Sequence, residues 1–270
     1  MNILLGSLLG IALGLGSVAA ASEPRRPTAR WVVNYDDAQC VATRNYGTAD
    51  KPLILAFKPS ATGSIMRIMM IRKGRAVEPE QRTAVLRFDD SRPIAVSALT
   101  YEDVSTRQFV ASANLPMPSF AANRRATTIS FRAGSFDEHL AVPGFAGISA
   151  AFDDCLANLR QAWNVGEPYS NKLRAPARPT QPLRHLFTRS TFPALAIRAG
   201  NTGTVAVSLM IDETGKVRDC MVEETSGFAS LDSTSCFVIT SRARFKPATG
   251  SDGKPAKSAY FQRIHWQIGA

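Results

Sequence analysis

Hydrophobic and polar positions change period several times along the chain, most legibly in its last third. Val205, Val207, Leu209 and Ile211 alternate with Thr204, Ala206 and Ser208, the period of a strand with one buried face. Asp212-Glu213-Thr214-Gly215-Lys216 interrupts the alternation, and Gly215 can supply the positive φ of a tight turn. Val217 to Glu224 reads as the return strand. From Ser230 the spacing turns helical, with Leu231, Ser235, Val238, Ile239 and Arg242 on adjoining positions. Phe245-Lys246-Pro247 closes that helix, because proline cannot continue it. In a last strand, Tyr260, Ile264, Trp266 and Ile268 fall on one face and Phe261, Arg263, His265 and Gln267 on the other. Upstream, Pro193 suits a first helical turn, Ala194 to Ala199 continue it, and Gly200 can stop it. The predicted order is helix, strand, turn, strand, helix, strand.

The first half has a different texture. Trp31–Tyr35, Cys40–Arg44, Leu53–Phe57, Ile65–Arg72, Ala84–Phe88, Ile94–Leu99, Gln108–Ser112 and Thr127–Phe131 have strand composition. Turn residues such as Asp36-Asp37, Gly74 and Asp89-Asp90 separate them. Such spacing predicts a mostly antiparallel sandwich or small barrel. Phe145, Ile148, Phe152, Leu156, Leu159 and Trp163 then recur at three and four, an amphipathic helix whose glycines Gly144 and Gly147 favour a start nearer Ser149. Met66, Met69 and Met70 lie in an apolar run and read as core rather than as a copper site. The whole is α+β. The expected divisions are 1–21, a mobile leader 22–30, a β-rich domain 31–163, a Pro-rich linker 164–182 that would reach about 60 Å if extended at ~3.1 Å per residue, and a small domain 183–270.

Compartment follows from the ends and the cysteines. Ile3 to Ala21 carries no charge and ends in small residues, the pattern of a cleaved secretory signal. An uncleaved inner-membrane anchor is the alternative, since the run approaches the ~18 residues of a span. Arg25, Arg26 and Arg30 after the run speak against that topology. The four cysteines, Cys40, Cys155, Cys220 and Cys236, allow three pairings. The domain division favours Cys40–Cys155 and Cys220–Cys236, and an exported chain would hold them oxidised. The net charge is +10, but segments 22–30, 31–163 and 164–182 each carry +2 and 183–270 carries +4. A nucleic-acid binder concentrates its charge on one element, so nucleic acid is not an expected partner.

Catalytic chemistry finds no foothold. His139, His185 and His265 lie far apart, and no GxSxG, GxxxxGK[ST] or HExxH motif occurs. No CxxC pair points to zinc or thiol redox work, and no cofactor motif is present. The acidic pairs are adjacent residues, which on a strand face opposite ways and cannot act together as acid and base. Asp137, Glu138 and His139 form the one polar cluster of the first domain that merits inspection.

Several pieces of the last third occur in a recognisable order. They are Phe192-Pro193-Ala194-Leu195-Ala196, Gly203-x-Val205-x-Val207-x-Leu209-x-Ile211, Gly215-x-Val217, Ser226-Gly227, Leu231-Asp232 and Arg244-Phe245-x-Pro247-Ala248. In this order and spacing the segment resembles the C-terminal domain of TonB, the energy transducer of bacterial envelopes. The resemblance implies a three-stranded sheet with two helices, located in the periplasm. It also implies that the last strand pairs with a short segment of an outer-membrane receptor, in support of transport across the outer membrane. Carried onto this chain, the pairing edge is Tyr260, Phe261, Gln262, Arg263, Ile264, His265 and Trp266. Incoming peptide would add a strand there by main-chain hydrogen bonds. Strand exchange between two copies is compatible with so small a sheet. The family's transducer has a His in its membrane helix and a long Pro-rich spacer; here the first His is His139 and the linker is short. The alternative expectation is therefore an envelope interaction protein with this fold and no energy transfer.

Overall fold

A computed structural model describes residues 23–74, 79–103 and 106–268. The apolar run 3–21 lies outside the described residues. Nine antiparallel strands form the first sheet: β1 (Val32–Asp36), β2 (Gln39–Asn45), β3 (Leu53–Pro59), β4 (Ile65–Lys73), β5 (Glu80–Phe88), β6 (Ile94–Asp103), β7 (Gln108–Pro116), β8 (Thr128–Ala133) and β9 (Phe136–Ala141). Their order is β1-β2-β3-β4-β7-β6-β5-β8-β9. This is one curled sheet, so the barrel-like alternative holds and the two-sheet sandwich does not. A short helix α1 (Met117–Ala122) follows β7, and α2 (Phe145–Ala162) follows β9. The α2 helix starts at Phe145, earlier than Ser149, with Gly144 at φ +79° as its N-cap.

Alternation along the strands sends one face to a common core. Met66, Ile68 and Met70 of β4 are fully buried there, with Leu55, Phe57, Leu86, Phe88 and Phe131 from neighbouring strands. Helix α2 fills the concave side with Phe145, Ile148 and Phe152, and Trp163 at its C-cap joins them. Phe57 and Phe145 approach to 5.1 Å, and Phe120 meets Phe145 edge-on at 5.8 Å. Met69 has the opposite parity and lies on the sheet's other face, so two of the three methionines are core. The Cys40–Cys155 disulfide ties β2 to α2.

Residues 23–30, expected to be a loose leader, are instead bound. Arg25 N donates to His139 O (2.7 Å), Ala141 N donates to Arg25 O (3.0 Å), and Thr28 N donates to Asn45 O (2.9 Å). The leader thus bridges β9 at one end of the sheet to the end of β2 near the other. Its arginines and threonine supply backbone amides and carbonyls to a sheet edge that would otherwise lack partners.

The linker 164–182 is strand-paired in two places. β10 (Leu173–Ala175) pairs with β15 (Ala248–Gly250), which pairs with β16 (Pro255–Ala256). β11 (Arg178–Pro179) pairs with β14 (Phe245–Lys246). Prolines are tolerated in such short edge ladders, where a missing N–H faces away. The small domain proper is α3 (Ala194–Arg198), β12 (Gly203–Ile211), β13 (Val217–Glu224), α4 (Ala229–Arg242) and β17 (Ser258–Trp266). Its sheet order is β13-β12-β17, the three strands and two helices expected. The α4 helix stops at Arg242, and Phe245-Lys246 are already strand. Gly215 has φ +80°, and a Cβ there would lie 1.9 Å from Phe245 O. The turn needs glycine for both reasons, and Phe245 N donates to Gly215 O at 3.0 Å.

Candidate functional site

The last strand lies at an edge. β17 pairs antiparallel with β12 from Gly203↔Trp266 to Ile211↔Ser258, and among the described residues no strand follows it in the sheet order. Alternate backbone N–H and C=O groups on the outer side of such a strand have no ladder partner. Ile264 and Trp266 are buried against α4 and α3, and Tyr260 is packed beside them. Phe261, Arg263 and His265 point to the opposite face and are exposed. Gln262 lies between, partly covered. Ile268, assigned by parity to the buried face, is exposed beyond the end of the strand.

Trp266 fixes the end of this strand. Its Nε1 donates to Ser235 Oγ at 2.9 Å, and Ser235 Oγ donates to Leu231 O at 2.8 Å. Phe187 and Phe192 meet its ring edge-on at 5.2 and 4.9 Å. On the exposed face, Thr204 Oγ1 and His265 Nδ1 are 2.9 Å apart, and Arg263 pairs with Glu224 at 2.8 Å across β12. The strand is held rigidly on one side while its other side offers main chain.

The opposite edge of the same sheet is treated differently. Val222 O of β13 accepts from Asn114 Nδ2 at 2.9 Å and from Arg67 Nη2 at 3.3 Å. Arg67 Nε also donates to Asn114 Oδ1 at 3.1 Å. Both side chains come from the outer face of the large sheet. Lys58 pairs with Asp219 at 2.7 Å, and Glu223 accepts from Ser64 Oγ (2.5 Å), Ser208 Oγ (2.8 Å) and Thr62 Oγ1 (3.3 Å). The first domain therefore docks on β13, and it touches β17 only near its start, where Ala259 packs against the large core and Asn164 Nδ2 donates to Lys257 O. Burial between the domains lowers the Arg67 guanidinium pKa, against the raising influence of Tyr101, Asp219, Glu223 and Asp232. Asp232, buried at the start of α4, accepts from Thr225 Oγ1, Ser226 N and Ser226 Oγ. Burial pushes its carboxyl up, against those hydrogen bonds and Arg67.

Neither Arg67 nor Asn114 was expected from the sequence to join the two domains. A signal existed: Arg67 is a charge inside an otherwise apolar strand, which marks a group with a specific partner. The Cys220–Cys236 disulfide joins β13 to α4, as the domain division favours, and no described cysteine is free. The cluster at 137–139 does not converge. Asp137 pairs with Arg132, Glu138 with Arg25, and His139 Nδ1 lies 2.8 Å from Ser130 Oγ. Among the described residues no group of His, Cys, Asp and Glu is arranged to hold a metal ion. No described helix is long and apolar enough to cross a membrane.

No curated protein and no solved structure matches this chain. Residues 188–268 match the model of the family described as Gram-negative bacterial TonB protein C-terminal. That span contains α3, the β13-β12-β17 sheet, α4 and the exposed edge, so the similarity to this family covers the C-terminal unit of the chain.

Proposed function

We propose that this protein works in the periplasm, where the outer side of β17 captures an extended segment of an outer-membrane receptor as an added strand. This supports transport across the outer membrane. The observation that carries the reading is the asymmetry of the small sheet: β13 is capped by Arg67 and Asn114, whereas β17 keeps an unpaired side. Recognition by strand addition takes affinity from main-chain bonds and specificity from alternate side chains. Phe261, Arg263 and His265 are the side chains placed to supply the latter, and Tyr260, Ile264 and Trp266 hold the strand in place. Two copies could exchange or pair the same edge.

Adjacent amides on a strand point to opposite sides. One of Arg263→Pro and Ile264→Pro therefore removes an N–H from the free side and spares the β12 ladder. That variant is expected to stay folded and to bind receptor-derived peptide about tenfold more weakly. Undiminished affinity in the folded variant rejects the edge model. A second reading, an envelope scaffold without energy transfer, is favoured by one observation. The 164–182 segment is strand-paired to the small domain through β10 and β11 rather than extended as a spacer. Crosslinking from position 263 in intact cells separates the two by the partner captured.

A further inference from the structure

Between the outer face of the large sheet and the β13–α4 side of the small domain lies a cavity of about 590 Å³. Sites for small molecules span roughly 300–1,000 Å³ and concentrate at domain interfaces. Strand register defines the floor. Arg67 sits opposite Asn114, and one row further Ser112 sits opposite Leu99, which sits opposite Gln81. The floor thus runs over four strands, β4-β7-β6-β5, a width of about 14 Å at ~4.8 Å per strand. Val222, Ser233 and the Cys220–Cys236 disulfide form the roof.

Two observations define what this cavity lacks. At the β4 end the carboxylates outnumber the cations. Glu224 is paired outward with Arg263, but Glu223 and Asp232 receive only hydroxyl and backbone donors. Arg67 is the one cation among the described lining residues, and its bonds go to Asn114 and Val222. At the β5 end, Gln81 Oε1 is buried and accepts no hydrogen bond among the described residues. A buried acceptor without a donor is costly. Between the two ends Leu99 is the apolar residue of the floor, with Ser97, Tyr101 and Ser112 around it and Val222 in the roof.

We propose that this cavity binds a linear organic amine. An ammonium group sits between Glu223 and Asp232, an apolar chain lies over Leu99, and a second donor reaches Gln81 Oε1. The proposal is independent of peptide capture at β17, which lies on the other edge of the small sheet.

The test is calorimetric titration of the purified full chain at fixed ionic strength with 1,8-diaminooctane, octylamine and octanoate. Saturable binding of both amines is expected, the diamine tighter, with no binding of octanoate. Gln81→Met should reduce the diamine to the affinity of octylamine and leave octylamine unchanged. Glu223→Gln should weaken both amines about tenfold. Because Glu223 also holds Thr62 and Ser64, its variant is read only if its melting midpoint is retained; Gln81→Met decides otherwise. No saturable amine binding, octanoate binding as tight as the amines, or an unchanged diamine-to-octylamine ratio in Gln81→Met overturns the proposal.

Discussion

Asp89 and Asp212 show how single side chains set turns here. Asp89, at φ 45°, accepts from the backbone N–H and hydroxyl of both Thr127 and Thr128. Burial alone would raise its pKa, but these bonds outweigh it and hold the carboxyl below its ordinary value. Asp212 is lowered in the same balance by Thr214, Lys216 and Arg218. A depressed folded-state pKa stabilises above the unfolded value of ~3.9 and the contribution is lost as pH falls through the depressed value. Asp232 has the opposite sign: its raised pKa contributes below ~3.9 and is lost as pH rises. Urea midpoints are therefore expected to drop below about pH 4, and Asp89→Asn should flatten that drop; an unaltered slope in the variant would remove the assignment. These residues were legible in the sequence as turns. Their hydrogen bonds were not, because Thr127 and Thr128 lie far along the chain and meet Asp89 only when β8 pairs with β5.

Elements were legible wherever a period persisted. β12, β13, α4 and β17 each carry enough alternation or helical spacing to identify themselves, and so does α2. β9 did not, because Phe136 and Leu140 are its only fully buried side chains and Asp137-Glu138-His139 intervene. The main-chain pairs of the leader and linker were not legible for one shared reason. Prolines and arginines argue against a core, but they do not prevent main chain from pairing at an edge. The two disulfides act at this scale. The Cys220–Cys236 bridge closes a separation of 16 residues, for which chain entropy gives about 3 kcal/mol. A Cys220→Ser/Cys236→Ser variant is expected to lose roughly that much in urea unfolding. Maleimide should label no cysteine of the oxidised folded protein, and stoichiometric labelling without reductant would contradict both bridges.

At the scale of the whole molecule the two units form a joint that neither half of the sequence announces. Ser64 looks like an ordinary loop residue and Asn114 an ordinary strand residue until β13 is set against them; only Arg67, a charge in an apolar strand, hints at a partner. Arg67→Met should cost about 1–3 kcal/mol, since Val222 O loses one of two donors and Asn114 Oδ1 loses the Arg67 Nε donor. The segment 164–182 should resist limited proteolysis in the intact protein and become a cleavage site in Arg67→Met as the joint loosens. Equal cleavage in both would show that the joint does not protect it. The last strand follows from periodicity and its role as a pairing edge from the family resemblance, whereas the capping of the opposite edge appears only once the first domain docks there.

The bridging of β9 and β2 by residues 25–28 has a further consequence for biogenesis. Arg25 is among the first of these residues to leave the ribosome, yet its partners His139 and Ala141 are made roughly a hundred residues later, at ~5–20 residues per second. The curled sheet cannot be sealed until then, so a chaperone that holds the earliest segment would stall the first unit while the β13-β12-β17 ladder, which lies within residues 203–266, forms on its own schedule.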